Sequence, residues 1–174
     1  MLPKRKVFPL FEAQHSAELS LWSVADDRVM GGESIAQLER QAQGHDSCVC
    51  LSGRVSLARG GGFVQMRWPL KSQGAQAERC SGIYLEARGN GETYGVHLRT
   101  RQLFLPWQSF RSSFVAGIEW TTFWLPFTAF EPYRTQAKLD THALVKIGIV
   151  AIGRAFDAEV CVRKMGFYQE DSAL

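Results

Sequence analysis

Three arginines stand out as the residues best suited to chemistry: Arg67, Arg99 and Arg111. Each sits at a polar position of an alternating apolar/polar run. A planar guanidinium presents paired donors that match a carboxylate or phosphate, so the three can hold an anion in bidentate fashion. The competing expectation is cross-strand pairing with Glu86 and other acids. Trp124 lies between Phe123 and Leu125, which face the other way, so its indole points outward to stack on a ring or fill a partner's pocket. The alternative for Trp124 is burial beneath the N-terminal segment or a long loop. Trp107, beside Pro106, belongs to a loop and is expected to be exposed. Tyr84 and His97 complete the outward set, together with Gln65, Glu86, Arg88, Ser113 and Thr122. Arg mixed with Tyr and Trp is a composition found where proteins bind partners.

A second constellation is Asp26-Asp27-Arg28-Val29-Met30-Gly31-Gly32-Glu33-Ser34. Gly31 and Gly32 can take positive φ, and such a turn can aim successive N–H groups into an anion-binding concavity. The plainer reading has the acids and Ser34 satisfy the turn's own backbone while Val29 and Met30 pack inward. An exposed Met30 beside an open groove would move this loop to a functional role. Catalysis finds little support. His15, His45, His97 and His142 stand in unrelated contexts, and no HExxH, GxSxG, P-loop or dinucleotide fingerprint occurs. Cys48 and Cys50 share a strand face, but no second close pair completes a zinc set. Free thiols, also at Cys80 and Cys161, are the expectation.

The elements that must position these groups are strands. Val49, Leu51, Val55 and Leu57 alternate against Cys48, Cys50, Ser52, Arg54 and Ser56. Val64, Met66, Trp68 and Leu70 alternate against Phe63, Gln65 and Arg67, and similar runs span 82–88, 93–101, 110–114, 120–127, 145–152 and 158–168. Val7 to Phe11 reads as an edge strand. Gly60-Gly61-Gly62 reads as a hairpin-type breaker and Gly89-Asn90-Gly91 as a hairpin turn. Residues 71–81 read as an exposed loop. Asp140 to Leu144 is the one helical turn, with Asp140 as N-cap. About ten short strands with almost no helix predict an all-β sandwich or barrel in a single domain, 1–174. Trp22, Trp68 and Trp120 are assigned to the core or its rim.

At 174 residues the chain can build a real core. A net charge of +3 allows an anionic partner without demanding one, and the lack of any dense Lys/Arg cluster argues against charge-driven nucleic-acid binding. No apolar run is long enough to span a membrane, and the basic N-terminus reads as neither signal nor transit peptide, so a cytoplasmic protein is the default.

Several ordered stretches together resemble a known family. Trp22 followed by Asp27-Arg28-Val29-Met30-Gly31-Gly32-Glu33-Ser34 is similar to the opening signature of the complex I intermediate-associated protein 30 family, usually Asn-Asp-x-Val-Met-Gly-Gly-x-Ser. Gly53 to Leu57, Gly61-Gly62-Phe63, Gly82-Ile83, Arg88 to Gly91, Tyr94, Leu98-Arg99-Thr100, Trp120, Pro126-Phe127, Phe130, Arg134 and Ile147-Gly148-Ile149 follow in order. The resemblance covers about residues 20–168, leaving 1–19 as an extension. Asp26 replaces the usual Asn and Asn90 a frequent Asp, both keeping turn chemistry. The resemblance implies a galactose-binding-domain-like jelly roll. It also implies a non-enzymatic role in assembly of respiratory NADH:ubiquinone oxidoreductase through protein partners, with carbohydrate binding on the same face as the alternative. No cofactor is implied beyond a structural calcium ion, for which Asp26, Asp27 and Glu33 are the candidate ligands.

Overall fold

The computed structural model describes residues 2–41 and 44–171. Among the described residues there are twelve strands, most of them on the period-two runs, with β3 and β10 in addition to those read from sequence: β1 (Arg5–Glu12), β2 (Ser23–Asp26), β3 (Ile35–Gln41), β4 (Cys48–Val55), β5 (Phe63–Pro69), β6 (Gly82–Gly89), β7 (Thr93–Thr100), β8 (Ser109–Val115), β9 (Thr121–Pro126), β10 (Glu131–Tyr133), β11 (Leu144–Ile152) and β12 (Phe156–Glu170). One short helix, α1 (Ser16–Leu19), precedes β2. The strands form two six-stranded sheets. The first has the order β3-β4-β12-β6-β9, with β1 beside the second half of β12. The second has the order β10-β8-β7-β11-β5-β2. Every pairing is antiparallel. The fold is the expected all-β sandwich.

The core lies between the sheets and takes the alternate apolar side chains of each strand. Val64, Met66 and Trp68 of β5, Tyr94, Val96 and Leu98 of β7, and Ile147, Ile149 and Ala151 of β11 come from the second sheet. Leu51, Ile83, Leu85, Val160 and Val162 meet them from the first. Each fully buried large side chain contributes about 1.5–3 kcal/mol relative to exposure. The alternation of β12 slips between Val162 and Lys164, where the register shifts against β6. An inserted residue lets Val162 and Met165 both face inward. Phe11, Trp22 and Trp68 pack with ring centroids 5.3 Å apart in all three pairs, fastening the N-terminal strand to both sheets.

Several local expectations change. Gly89-Asn90-Gly91 is not a hairpin turn, because β6 and β7 belong to different sheets. It is an arch across the sandwich, held by Tyr94 Oη donating to Asn90 Oδ1 (2.6 Å) and by Asn90 Nδ2 donating to the Asp157 carbonyl (2.9 Å). Gly60-Gly61-Gly62 likewise joins β4 to β5 of the opposite sheet. Residues 72–79 coil into 3-10 turns with Gly74 and Ala77 buried, rather than forming an exposed loop. Asp140 does cap a 3-10 turn, accepting from the His142 N–H at 3.0 Å.

The expectation of four free thiols is also corrected. Cys50 and Cys161 are register partners in β4 and β12, with Cα atoms 4.0 Å apart, and they form a disulfide. Sequence alternation shows which face a cysteine takes but not which residue stands opposite it. Cys48 stays a buried thiol with its Sγ 3.7 Å from that of Cys50, and burial pushes its pKa up. Trp120 covers the three sulfurs. The Arg88 and Arg163 guanidiniums lie 4.9 and 4.5 Å from its ring centroid.

Candidate binding groove

The outer face of the second sheet carries a groove of about 720 Å³. Its floor follows from the register. Arg67 of β5 stands opposite Gly148 of β11, Gly148 opposite His97 of β7, and His97 opposite Arg111 of β8. One row further along, Lys146 stands opposite Arg99. Gly148 puts no side chain between Arg67 and His97, so the floor drops there. The His97 ring lies over Gly95, where an added Cβ would sit 2.8 Å from Nε2.

Two loops wall the groove, and each is built by one charged side chain. Asp27 is fully buried and joins the first loop to the glycine arch. Its Oδ1 accepts from the Ser34 N–H (2.9 Å); its Oδ2 accepts from Ser34 Oγ (2.5 Å) and the N–H groups of Gly62 (2.5 Å) and Phe63 (3.2 Å). Burial favours the protonated form, but these donors outweigh it and hold the carboxyl below its usual range. The glycines are needed for close approach: a Cβ on Gly32 would fall 2.2 Å from Oδ1, and one on Gly61 2.5 Å from Oδ2. Gly31 takes φ +83° and closes the turn. Asp26 receives the Arg28 guanidinium (2.7 Å to Oδ2) and the Ala36 N–H (3.1 Å). The Arg28 bonds, chiefly, hold Asp26 below its ordinary value. Glu33 pairs with Arg59 at 3.0 Å. The oxygens of Asp27 therefore face hydrogen-bond donors, an environment complementary to a carboxylate rather than to a calcium ion.

With the acids so engaged, the loop's apolar residues turn outward. Val29 is 81% and Met30 62% exposed, and both line the groove, contrary to the expectation that they pack inward. Leu57 joins them, 51% exposed rather than continuing the inward set of β4, because that strand ends at Val55. Gly31 and Gly32 shape this wall without lining the groove. The second wall is the loop between β7 and β8. Arg99 donates to the carbonyls of Leu103 (3.1 Å), Leu105 (2.8 Å) and Gln108 (2.7 Å), with Pro106 at 3.3 Å. Its guanidinium is spent on the loop that presents Trp107, half-exposed at the rim.

The groove's charge is one-sided. Among the described residues Arg67, Arg99, Arg111, Arg134 and Lys146 line it, and no Asp or Glu does. Among the described residues none of these five enters an ion pair, so the expected cross-strand bridges do not form; Glu86 instead meets Arg163 and Lys164. Arg67 Nε is buried without a hydrogen-bond partner. Arg111 is steadied by Ser109 Oγ (2.8 Å) and lies 3.5 Å from the Tyr133 ring centroid. Burial pushes the pKa of Lys146 down, aided by Arg67 and Arg99. Burial, then Arg111, pushes His97 down to about 3, so it stays neutral near pH 7.

Tyr84 and Trp124 lie elsewhere. They are register partners on β6 and β9, on the outer face of the first sheet. Trp124 is half-buried under the N-terminal strand: the Arg5 guanidinium lies 4.6 Å from its centroid, and Tyr84 and Tyr168 lie against it at 5.5 and 5.1 Å. Tyr84 is buried, which pushes its hydroxyl up to about 12. Of the residues singled out from sequence, the fold unites Arg67, His97, Arg99, Trp107 and Arg111. Sequence reasoning missed Val29, Met30, Leu57, Tyr133 and Lys146 as groove residues. Only Lys146 had a usable local signal, a polar residue among the apolar side chains of β11.

Two antiparallel sheets with a groove over the outer face of one define a β-sandwich, similar in fold to several carbohydrate-binding modules. The family 11 module of a Clostridium thermocellum cellulosomal cellulase superposes with a TM-score of 0.72 at 10% identity, over 93% of this chain and 95% of that one. The same module in complex with a β-1,3-1,4-mixed-linked tetrasaccharide gives 0.69 at 11% identity, over 96% of each chain. A family 30 module from that organism gives 0.60 at 8%, over 88% of this chain and 93% of that one. At such identities the likeness concerns the fold. The family model for complex I intermediate-associated protein 30 (CIA30) matches residues 10–162, and the chain belongs to that family. No curated protein sequence matches it. No helix among the described residues is long and apolar enough to cross a membrane.

Proposed function

We propose that the chain is a non-enzymatic binding module whose groove receives a protein partner, as suits a family named for association with complex I intermediates. The observation that carries this reading is the rim. Val29, Met30, Leu57 and Trp107 expose apolar surface around a single groove, where a buried core would have been the default for such side chains. Met, Trp, Tyr and Arg, all of which line this groove, are enriched at protein interfaces. The floor offers no carboxylate to act as acid or base, and its histidine has no acidic partner within the lining.

Affinity capture on the full chain tests this. Wild type, Met30→Ser with Trp107→Ala, and the remote Trp124→Ala are compared in native-cell lysate by quantitative mass spectrometry. The double rim variant should lose the specific partner at least about tenfold, and Trp124→Ala should keep it. Equal yields from wild type and the rim variant would overturn the assignment. A second reading, carbohydrate binding, is favoured by Trp107 and Tyr133 beside the groove and by the architecture of the similar modules. Heat on titrating a mixed-linkage glucan, abolished by Trp107→Ala, would establish it.

A further inference from the structure

Five cations line the groove, no acid offsets them, and none finds an ion pair among the described residues. Collecting like charges on a half-buried floor costs stability, and the cost is recovered only when an anion arrives. Not all five are available. Arg99 is committed to four loop carbonyls. Arg67 is committed to nothing at Nε, which is buried and unpartnered, and Lys146 stands one row away with no acid near it. Arg111 is held in place by Ser109 and Tyr133 at the far side.

The spacing narrows the ligand. Arg67 and Arg111 are separated by three strand intervals (β5 to β11, β11 to β7, β7 to β8), or about 14 Å at roughly 4.8 Å each. An extended peptide repeats its side chains on one face about every 6.8 Å, so residues i and i+4 span about 14 Å. The residue between them, about 7 Å from Arg67, would lie between Gly148, which has no side chain, and His97. The exposed Val29, Met30 and Leu57 on the wall fit apolar side chains, which a peptide has and a polysaccharide lacks. Building on the protein-binding reading of this groove, we infer that it recognises an extended acidic segment of a protein, with carboxylates at i and i+4 set on Arg67 and Arg111 and Lys146 alongside.

Isothermal titration of the full chain tests the inference with four probes. These are a synthetic peptide with Glu at every fourth position and Leu and Ser between, the same peptide with Gln for every Glu, oligogalacturonate, and a neutral mixed-linkage glucan oligosaccharide. The Glu peptide should bind at least about tenfold more tightly than the Gln peptide, and Arg67→Gln or Lys146→Gln should remove most of that preference. Arg67→Lys should restore only part of it, since a point charge lacks the fork. Thermal melts and far-UV circular dichroism matching wild type show that these variants remain folded. Equal binding of the two peptides, binding of neither, or tighter binding of oligogalacturonate would each overturn the inference. Gly148→Phe separates this from the broader reading: it fills the floor, and the Cβ requires only that the Gln65 side-chain amide yield. If it blocks Glu and Gln peptides that wild type binds equally, the groove stands and only the anion inference falls. If the Glu peptide still binds it as wild type does, the groove itself is not the site.

Discussion

Replacing Asp27 by Asn should weaken the fold substantially. The carboxylate is fully buried and accepts four hydrogen bonds, three of them at Oδ2. In its better orientation the amide keeps its oxygen at the Oδ2 position and turns its NH2 toward the Ser34 N–H, which is then orphaned. An unsatisfied buried donor costs about 1–3 kcal/mol. The three surviving bonds lose their ionic character, roughly half their strength, for about another 2 kcal/mol together. The expected loss is about 3–5 kcal/mol, a large part of a typical stability of about 5–15 kcal/mol, and lowers Tm by roughly 10 °C. Urea unfolding across pH provides the assay. Asp27's folded pKa lies below its unfolded value near 3.8. Its contribution is therefore present above that value and lost as pH falls through the folded one. The gap between wild type and variant should hold from pH 7 to about 4 and narrow below it. A loss under about 1 kcal/mol, or a gap that does not narrow in acid, would refute the account of the loop.

Three further outcomes follow from the same geometry. Gly32→Ala places a Cβ 2.2 Å from Asp27 Oδ1 and should cost about 2–4 kcal/mol, whereas Gly117→Ala, with open space around it, should stay within about 0.5 kcal/mol by thermal melts. Arg99→Ala removes the donors from four carbonyls and should speed amide exchange across residues 101–108, with Arg99→Lys recovering little. His97, about 3 when folded and about 6.5 when unfolded, binds a proton only on unfolding between those values. Its contribution to stability is complete above about pH 6.5 and falls as pH drops toward 3; His97→Gln should flatten that part of the urea-midpoint profile, and imidazole NMR should find the ring neutral at pH 5.

What could be read from the sequence is what the pleat makes local. The inward sets of β5 and β7 follow from alternation alone, as does the placement of Trp68 in the core. What could not be read is which sheet a strand joins. Arg67 and Trp124 look alike as outward residues, yet successive strands cross between layers and leave them on opposite outer faces. The same holds for Gly89-Asn90-Gly91, whose turn chemistry suits an arch as well as a hairpin. The disulfide depends on the register of β4 against β12, and the Asp27 interaction on an arch 35 residues downstream. The exposure of Met30 follows only once those distant partners are known.

The long strand β12 imposes an order on how the molecule is made. Its first half pairs with β4 and its second half with β1, the earliest strand in the chain. Arg5 and Glu170, which face each other there, are 165 positions apart. During synthesis at about 5–20 residues per second, β1 therefore waits roughly 10–30 s with no strand to pair with. Its Phe8, Leu10 and Phe11, which end packed in the core, stay open to other partners throughout that interval. Hairpins such as β7–β8 can close as they emerge, but the first sheet cannot be completed until the last strand has been made.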